Sequence, residues 1–326
     1  MLEDKPLISV VIPTYNRAHL VLDSLNSVYQ QLHRPLELIV VDDGSTDNTA
    51  VVVRDWANAI ADKSFSVRYI HQQNKGGNSA RNRGIEEASG TFVAFLDSDD
   101  LWHPSKLVKQ AAILLHNENV GGVYCGLRHV FIETGVVQDP SPREYLQGSL
   151  LSQMLICDVT APTSTYLVRA SAFDRVDRFD EQLQARQDWD MWIRLASKYE
   201  IAAVPEVLVD FREHAGDRTA SNPQKEIAAY QTIMKKYASL RQQQPFFVQQ
   251  QAQASFYRRM GRVHFHQKIS LKKALGYQMR AIACWPFAFD SYAALLGMLL
   301  PREVRSQLHE HWNRAFGSTA LAIKSH

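Results

Sequence analysis

The sequence predicts an α/β fold, in which a doubly wound, mostly parallel β-sheet is followed by a helical C-terminal region. Continuous apolar runs of strand length occur at residues 7–12, 36–41, 67–70 and 91–96, and helical patterns lie between them. Strands that are apolar throughout are typical of parallel sheets covered by helices on both faces. Beyond residue 220 the chain becomes rich in Gln, Ala and Lys and almost wholly helical in pattern.

The individual elements follow from the same patterns. Helices are predicted at 19–31, 48–61, 79–88, 104–117 and 188–198. Further strands are predicted at 121–125, 160–168, 201–205 and 207–212, with a hairpin at 130–137 around a Thr-Gly turn. A polar linker near residue 220 divides the chain into an α/β domain of residues 1–220 and a helical region of residues 221–326.

Composition describes a folded globular protein. The chain has 326 residues, of which 45% are hydrophobic, so it is long enough to bury a full core. Its 36 Lys and Arg residues nearly balance 34 Asp and Glu residues, and this net charge of +2 does not indicate a nucleic-acid partner. Three cysteines without metal-binding spacing fit a reducing compartment, and the N-terminus lacks a signal-peptide pattern. We therefore expect a cytoplasmic protein.

Residues 281–300 complicate this expectation. Their only charge is Asp290, and the stretch approaches the length of a membrane span, but Pro286 and Asp290 interrupt it. We expect two packed helices that form a hairpin on the main domain. The alternative is shallow insertion into a membrane face, which would place the protein peripherally on the inner face of the membrane.

Acidic residues follow the fourth predicted strand directly. The one-residue spacing of Asp97 and Asp99 projects both carboxylates from the strand end. Mg²⁺ and Mn²⁺ prefer oxygen ligands and are usually held by one or two carboxylates together with substrate phosphates. Asp clusters are also common at helix starts, and we expect Asp100 to be a helix cap. The pattern thus predicts a metal site that binds a nucleoside diphosphate.

Three polar loops share one position relative to the sheet. Residues 13–17, 42–47 and 97–100 each follow a predicted strand. Ligands of doubly wound sheets bind outside the carboxyl ends of the strands, where loops and helix N-termini meet. We therefore expect these three loops to line one crevice.

Two further segments offer polar groups to this crevice. Asp43 could accept a hydrogen bond from a base N–H or a ribose hydroxyl, whereas Asp47 is better explained as a helix cap. The glycine-rich segment 74–84 places Arg81 on the first turn of a helix, within reach of a phosphate or ribose. The same segment also fits an ordinary turn.

Two candidates come from the second half of the domain. Asp188 opens an aromatic-rich helix, where a carboxylate could act as a general base on a sugar hydroxyl or cap the helix. His214 follows the last predicted strand, and its neutral imidazole could complete the metal's ligand shell or contact the diphosphate.

Together these segments resemble the family 2 glycosyltransferases, inverting enzymes with the nucleotide-sugar-binding fold called GT-A. The matching segments are residues 9–17, 41–47, 77–84 and 96–100, which occur in the expected order. The resemblance extends over about two thirds of the chain. It implies a GT-A domain at residues 1–220, a nucleoside diphosphate sugar donor, and Mn²⁺ or Mg²⁺ as cofactor.

The resemblance also implies roles for single residues. The candidate donor-binding residues are Pro13, Thr14, Tyr15, Arg17, Asp43, Asn78, Arg81, Asp97 and Ser98. The candidate metal ligands are Asp99, Asp97 and His214, and the implied general base is Asp188. In the family a Glu precedes this base, but here Gln187 takes its place, and the loss of that charge should lower the pKa of Asp188.

The implied reaction is an inverting transfer. Asp188 removes a proton from an acceptor hydroxyl, which attacks the anomeric carbon from the face opposite the departing nucleoside diphosphate. We expect a UDP-sugar as donor and a glycan or lipid-linked glycan as acceptor, with residues 125–187 on the acceptor side. Self-association into a homo-oligomer is left open, as is peripheral membrane contact through residues 281–300.

Two other classes of protein are weighed against this one. A sugar nucleotidyltransferase would also use carboxylates and a metal, but it usually has a Gly-rich phosphate loop directly after the first strand, where this chain has residues 13–17. A non-catalytic carbohydrate-binding scaffold is the third alternative. Metal-dependent donor hydrolysis that is lost in Asp99→Ala would distinguish an enzyme from a scaffold.

Overall fold

The first hundred residues of the chain form four parallel strands at one end of a larger sheet. A computed structural model describes residues 5–138, 144–213 and 222–300. The parallel strands are β1 (Ile8–Thr14), β2 (Leu36–Asp42), β3 (Phe65–His71) and β4 (Phe92–Phe95). β1 lies between β2 and β4, and β3 pairs with the outer edge of β2. This order, β3-β2-β1-β4, is that of a doubly wound sheet.

Residues after β4 extend the sheet with mixed pairing. Its strands are β5 (Leu101–Trp102), β6 (Val120–Phe131), β7 (Val137–Gln138), β8 (Leu167–Arg169) and β9 (Glu200–Glu213). β8 runs antiparallel to both β4 and β6, β9 runs parallel to β6, and β5 closes the edge antiparallel to β9. The predicted α/β sheet is confirmed. It is parallel in its first four strands and mixed beyond them.

Helices cover both faces of the first four strands. The helices before residue 200 are α1 (Val21–Tyr29), α2 (Thr49–Asn58), α3 (Gly77–Glu87), α4 (Lys106–His116), α5 (Leu151–Ile156), α6 (Phe173–Val176) and α7 (Gln187–Ala196). Ile39 of β2 packs against Ala80 of α3. Leu38, the preceding residue, points to the opposite face and joins the main core with Leu25 of α1 and Val53 of α2.

Two strand predictions need correction. The hairpin at 130–137 is present as β6 and β7, but the strand predicted at 160–168 begins only at Leu167. Residues Thr163–Thr165 form a 3₁₀ turn instead, since the Thr165 hydroxyl donates to the Pro162 carbonyl at 2.7 Å and stabilises a local turn. The strands predicted at 201–205 and 207–212 are one strand, β9, with an irregularity at Pro205, which has no N–H to donate.

The region after residue 221 is helical as far as it is described. Its helices are α8 (Pro223–Lys236), α9 (Ala238–Gln242), α10 (Phe246–His266), α11 (Leu271–Cys284) and α12 (Phe289–Leu299). The Asn222 side chain caps α8 by accepting from the backbone N–H groups of Gln224 and Lys225 at 3.0 and 3.3 Å. The boundary predicted near residue 220 and the stretch 301–326 lie outside the described residues.

The apolar stretch 281–300 contributes to two helices, as expected. Ala274 of α11 packs against Ala294 and Met298 of α12, and Phe265 of α10 joins this small cluster. The hairpin therefore packs on α10. Within residues 5–138, 144–213 and 222–300, every helix is too short or too polar to cross a bilayer.

Candidate active site

The loops after β1 and β2 are held together by side chain to backbone hydrogen bonds. The N–H of Asn16 donates to the Ser45 hydroxyl at 2.9 Å, and the Asn16 side-chain carbonyl accepts from the N–H of Thr46 at 2.8 Å. The N–H of Arg17 donates to the Thr49 hydroxyl at 2.9 Å. Asn16 adopts a positive φ of 52°, a conformation that Asn tolerates well. The two loops thus form one rim at the carboxyl edge of the sheet.

The donor-binding candidates of the first loop differ in accessibility. Pro13 and Thr14 end β1 and are buried, whereas the Tyr15 ring is exposed and Arg17 is half-buried. The carbonyl oxygen of Thr14 accepts from the N–H of Asp43 at 2.9 Å. Tyr15 is therefore the residue of this loop whose side chain is most available to a ligand.

Asp43 is buried and ties the second loop to the loop before α3. Its Oδ1 accepts from the Gln72 side chain at 2.7 Å and the Lys75 N–H at 3.0 Å, and its Oδ2 accepts from the Gly76 N–H at 2.7 Å. A carboxylate offers about four acceptor positions, so roughly one remains for a ligand N–H or hydroxyl. Gly76 has a φ of 93°, which favours glycine at this turn.

Asn78 connects α3 to the loop that leads to Asp188. Its side-chain amide donates to the carbonyl oxygens of Asp180 at 2.9 Å and Leu183 at 2.8 Å. Asn82, one turn later, donates in the same way to the carbonyl oxygen of Phe179 at 2.9 Å. Both amide hydrogens of Asn78 are used, so its carbonyl oxygen is the atom left for a ligand.

Arg81 and Asp97 form the central ion pair of the site. Nη2 of Arg81 lies 2.5 Å from Oδ1 of Asp97. Arg81 is almost fully buried, and its guanidinium lies 5.8 Å from the centre of the Phe179 ring. Its Nε is buried without a hydrogen-bond partner among the described residues. The structure therefore brings the helix after the glycine-rich loop against the Asp-x-Asp segment, as the crevice prediction requires.

Accessibility alternates along the Asp-x-Asp segment. Asp97 and Asp99 are partly exposed, whereas Ser98 and Asp100 are buried. The Asp100 carboxylate accepts from the Ser164 hydroxyl at 2.6 Å and from the Arg212 N–H at 3.1 Å. Burial raises the pKa of Asp100 well above its usual range, and the charges of Asp99 and Asp97 add to this effect.

The expectation that Asp100 caps a helix is wrong. The next helix, α4, begins only at Lys106, and the two-residue strand β5 lies between Asp100 and that helix. The Asp100 carboxylate instead fastens the strand end to segments that lie far away in the sequence. Because Asp100 is buried, Asp97 and Asp99 are the carboxylates of this segment that a ligand can reach, and the buried side chain of the donor-binding candidate Ser98 is poorly accessible.

The oxygen donors present suit a hard divalent cation. Among the described residues, no three His, Cys, Asp or Glu side chains converge to form a metal cluster. Asp99 and Asp97 are two partly accessible carboxylates, which is the number that Mg²⁺ or Mn²⁺ usually takes from protein when substrate phosphates complete its shell. His214, the third predicted ligand, lies outside the described residues.

Asp188 lies in the first turn of α7. Its Oδ1 accepts from the N–H of Trp189 at 2.8 Å, and Arg186, the residue before the helix, has a positive φ of 57°. Burial raises the pKa of Asp188; the bond from Trp189 and the charges of Arg186 and Arg81 oppose this, while Asp97 adds to it. The lowering predicted from Gln187 is relative to a protein with Glu at that position and stays a prediction, while in this chain burial is the largest influence on the pKa of Asp188.

Asp158 is a carboxylate that the sequence patterns did not single out. It accepts from the N–H of Thr160 at 3.2 Å. Burial, followed by the negative charge of Asp188, raises its pKa to about 6. The sequence shows Asp158 only as an acidic residue between Cys157 and Val159. Its proximity to Asp188 depends on how α5 and α7 pack, which local sequence does not indicate. The site thus contains two neighbouring carboxylates with elevated pKa values.

Two further residues were missed because their partners are remote in sequence. The Ser164 hydroxyl accepts from the N–H of Asp97 at 3.1 Å while donating to Asp100. The guanidinium of Arg212 donates to the carbonyl oxygen of Asp99 at 2.5 Å and to the carboxylate of Asp23 at 2.7 Å. Both residues hold the Asp-x-Asp backbone in place.

Comparisons with known proteins identify a family for this chain. Residues 9–176 match the model of the family described as Glycosyl transferase family 2. The UDP-Glc:alpha-D-GlcNAc-diphosphoundecaprenol beta-1,3-glucosyltransferase of Escherichia coli is 30% identical over 201 residues, which are 62% of this chain and 74% of that protein. The chain spans 30 to 35% of the length of the first curated relatives it matches, glycosyltransferases of three Rickettsia species.

Solved structures share the fold. Staphylococcus aureus TarS 1–349, in complex with UDP-GlcNAc, superposes with a TM-score of 0.63 and 20% identity over 93% of this chain and 92% of that chain. The mannosyltransferase PcManGT of Pyrobaculum calidifontis, in complex with GDP-Man and Mn²⁺, superposes with a TM-score of 0.59 and 22% identity over 94% of this chain and 84% of that chain. At these identities the likeness extends to the fold alone.

Proposed function

This chain belongs to glycosyltransferase family 2, and we propose that it transfers a sugar, with inversion, from a nucleoside diphosphate sugar to a hydroxyl of a glycan or lipid-linked glycan. The observation that carries the proposal is the ion pair between Arg81 and Asp97, at 2.5 Å, next to Asp188. This ion pair places the residues expected to bind the diphosphate close to the expected general base, Asp188.

The donor is proposed to bind along the carboxyl edge of β1, β2 and β4. Tyr15 has the accessible ring of the first loop, and Asp43 retains an acceptor position for a base or ribose. Arg81 would bring positive charge to the diphosphate, while its existing bond to Asp97 holds the guanidinium in position. We favour a UDP-sugar. The E. coli relative is named for UDP-Glc, and the TarS structure is a complex with UDP-GlcNAc, which supports this choice.

Asp99 and Asp97 are proposed to hold Mg²⁺ or Mn²⁺, with His214 as a predicted third ligand. Their hard oxygen donors fit either ion. A bound divalent cation would offset the negative charge that develops on the departing diphosphate. The Mn²⁺ complex of the P. calidifontis neighbour supports this choice of cofactor.

Asp188 is proposed as the general base. In its ionised form it would take the proton of an acceptor hydroxyl while the hydroxyl oxygen bonds to the anomeric carbon and the bond to the diphosphate oxygen breaks. A raised pKa makes the carboxylate a stronger base than an ordinary Asp, because its conjugate acid is harder to deprotonate. Attack from the face opposite the leaving group inverts the anomeric centre.

The helical region is proposed as a separate unit, residues 221–326, that supports a GT-A domain of residues 1–220. Arg186, directly before the helix of Asp188, pairs with Glu226 of α8 at 2.6 Å. The acceptor is proposed to enter on the side of residues 125–187, where Asp158 lies near Asp188. A diphosphoundecaprenol-linked acceptor in the name of the E. coli relative supports a lipid-linked glycan.

A thermal-shift screen tests this proposal. UDP, GDP and dTDP are each added to the whole chain with and without Mn²⁺, because a ligand that binds only the native state raises the melting temperature by mass action. We expect the largest shift with UDP and Mn²⁺ together. The absence of a shift with every nucleotide would contradict a nucleotide-sugar donor.

A further inference from the structure

The last described helix, α12, presents its most apolar face to solvent. The outward side chains are Phe289, Tyr292, Leu296 and Leu299. Their spacing of three, four and three residues aligns them along one side of the helix. Phe289 is 74% exposed, and Leu296 and Leu299 are each 62% exposed. The inward face, with Ser291, Ala294 and Met298, is the one that packs on the neighbouring helices.

The turn before α12 and the adjacent helix continue this surface. Phe287 in the turn is 67% exposed, and Met279 of α11 is also exposed. Trp285, at the end of α11, packs edge-on against Phe287 with ring centres 5.5 Å apart. In the part of the chain that the structure describes, nothing covers these side chains. We call Met279, Phe287, Phe289, Leu296 and Leu299 the apolar surface.

Positive charge is concentrated in the same region. Residues 243–300 contain seven Lys and Arg residues but only one acidic residue, which is a net charge of +6. Residues 1–242 contain 25 basic and 31 acidic residues, a net charge of −6. Four of these basic side chains are exposed on α11, which packs against α12, or on the turn before α11: Lys268, Lys272, Lys273 and Arg280. The small net charge of the whole chain therefore hides a strong separation of charge.

We propose that the apolar surface and its basic side chains bind an anionic membrane surface, with α12 lying in the plane of the lipid headgroups. An apolar helix face flanked by Lys and Arg is the pattern of interfacial helices, and each basic residue near an anionic leaflet adds attraction. Aromatic side chains such as Phe287 and Phe289 suit the headgroup boundary. The 11 residues of α12 fall well short of the roughly 20 that a membrane span requires.

The biological role of membrane binding rests on the proposed function, because a lipid-linked acceptor lies at a membrane. Its physical basis is independent of catalysis, since none of the residues of the apolar surface belongs to the candidate active site. Docking at α12 would hold the crevice near the surface at which such an acceptor is presented.

Vesicle flotation of the whole chain tests the inference. One set of vesicles is phosphatidylcholine alone, and the other contains phosphatidylglycerol as well. We expect the chain to float with the anionic vesicles and to be released by salt. The variant Phe289→Ser/Leu296→Ser should bind them at least about tenfold more weakly, because two large apolar side chains are lost. The matched control is Val51→Ser/Leu115→Ser, which alters similarly exposed apolar residues on α2 and α4.

A second variant guards against misfolding of the first. Lys272→Gln/Lys273→Gln leaves the apolar surface intact and should weaken binding about fivefold for each lysine removed. Equal binding of all variants, or no flotation of the wild-type chain, would overturn the proposal. So would self-association in sedimentation velocity that is lost in Phe289→Ser/Leu296→Ser, since the apolar surface would then bind a second copy of the chain.

The same samples separate this inference from the proposed function. Thermal shifts with UDP and Mn²⁺ are measured without vesicles. A chain that floats with anionic vesicles but responds to no nucleotide would retain the docking surface and lose the proposed activity. A chain that binds UDP but not vesicles would retain the proposed activity and contradict the docking surface.

Discussion

The Tyr237 hydroxyl donates to Oδ1 of Asp190 at 2.7 Å and so joins the C-terminal helices to the helix that carries the candidate base. Asp190 is fully buried, and it also pairs with Lys236 at 2.8 Å and with Arg194 at 2.8 Å. Burial, followed by the negative charge of Asp190, raises the pKa of Tyr237, so the phenol stays protonated and donates. The orientation of Asp188, two residues away, therefore depends on the helical region.

Removing this hydroxyl should affect both stability and catalysis. In Tyr237→Phe one acceptor position of the buried Asp190 loses its partner, and we expect the free energy of unfolding to fall by about 1–3 kcal/mol. We also expect kcat to fall while the KM for the donor stays nearly constant, because the base is displaced and the donor loops are untouched. Urea unfolding and steady-state kinetics measure the two effects. Tyr257→Phe, in the same helical region, is the control and should change neither.

Replacing the proposed base should abolish most of the transfer. We expect Asp188→Asn to lower kcat on the order of 10²–10⁴-fold, the usual contribution of a general base, while the UDP-induced thermal shift is retained. Transfer is followed with a radiolabelled donor sugar. Asp174→Asn, on the exposed side of α6, serves as the matched control. Full activity of Asp188→Asn would show that another group accepts the proton.

Asp158 should make the stability of the protein depend on pH in mildly acidic solution. Its folded-state pKa of about 6 exceeds the ordinary value of 3.8, so the native state holds more protons than the unfolded state between these values. The free energy of unfolding should therefore decrease as pH rises from about 4 to about 6. Urea unfolding at a series of pH values measures this slope, which should flatten in Asp158→Asn and persist in Asp174→Asn. An unchanged slope in Asp158→Asn would assign the effect to another group.

Asp99 should control the metal-dependent part of donor binding. In Asp99→Ala we expect the additional thermal shift that Mn²⁺ gives to UDP to disappear, because an accessible carboxylate ligand is lost. Donor hydrolysis should fall in parallel. Asp55→Ala, an exposed position on α2, should leave the Mn²⁺ effect unchanged. If the Mn²⁺ effect were intact in Asp99→Ala, the metal would have to bind somewhere other than this segment.

The close approach of α3 to β1 should be sensitive to a single methyl group. A Cβ on Gly84 would lie 2.2 Å from Cγ1 of Val11, so Gly84→Ala should push α3 away from the sheet and destabilise the protein by about 1–3 kcal/mol. Because Arg81 lies on the same helix, UDP binding should weaken as well. Gly276→Ala is the control, since a Cβ there meets nothing within 4 Å. Equal stability of both variants would contradict tight packing of α3 on β1.

Much of the fold was accessible from local patterns. The strands β1 to β4 and the helices between them were predicted within a few residues of their observed ends, because apolar periodicity reflects each segment's own burial. The strand predicted at 160–168 was wrong because side chain to backbone hydrogen bonds, which periodicity does not record, stabilise a 3₁₀ turn there.

The candidate site was predicted in outline. Strand-end positions, the glycine-rich segment and the family resemblance together placed Asp97, Arg81 and Asp188 around one crevice, and the structure brings these three together. Asp158 was missed because its neighbour, Asp188, is thirty residues away in the sequence.

The sequence by itself determined which residues end the parallel strands and therefore which loops of the first hundred residues line the crevice, since both follow from short-range periodicity. Only the tertiary structure decided what each carboxylate can do. Asp99 and Asp100 are neighbours in the chain, yet one is accessible and the other is buried against Ser164 and Arg212. Burial and pairing of charges depend on segments that folding brings together from distant parts of the chain, and these set the pKa of each group.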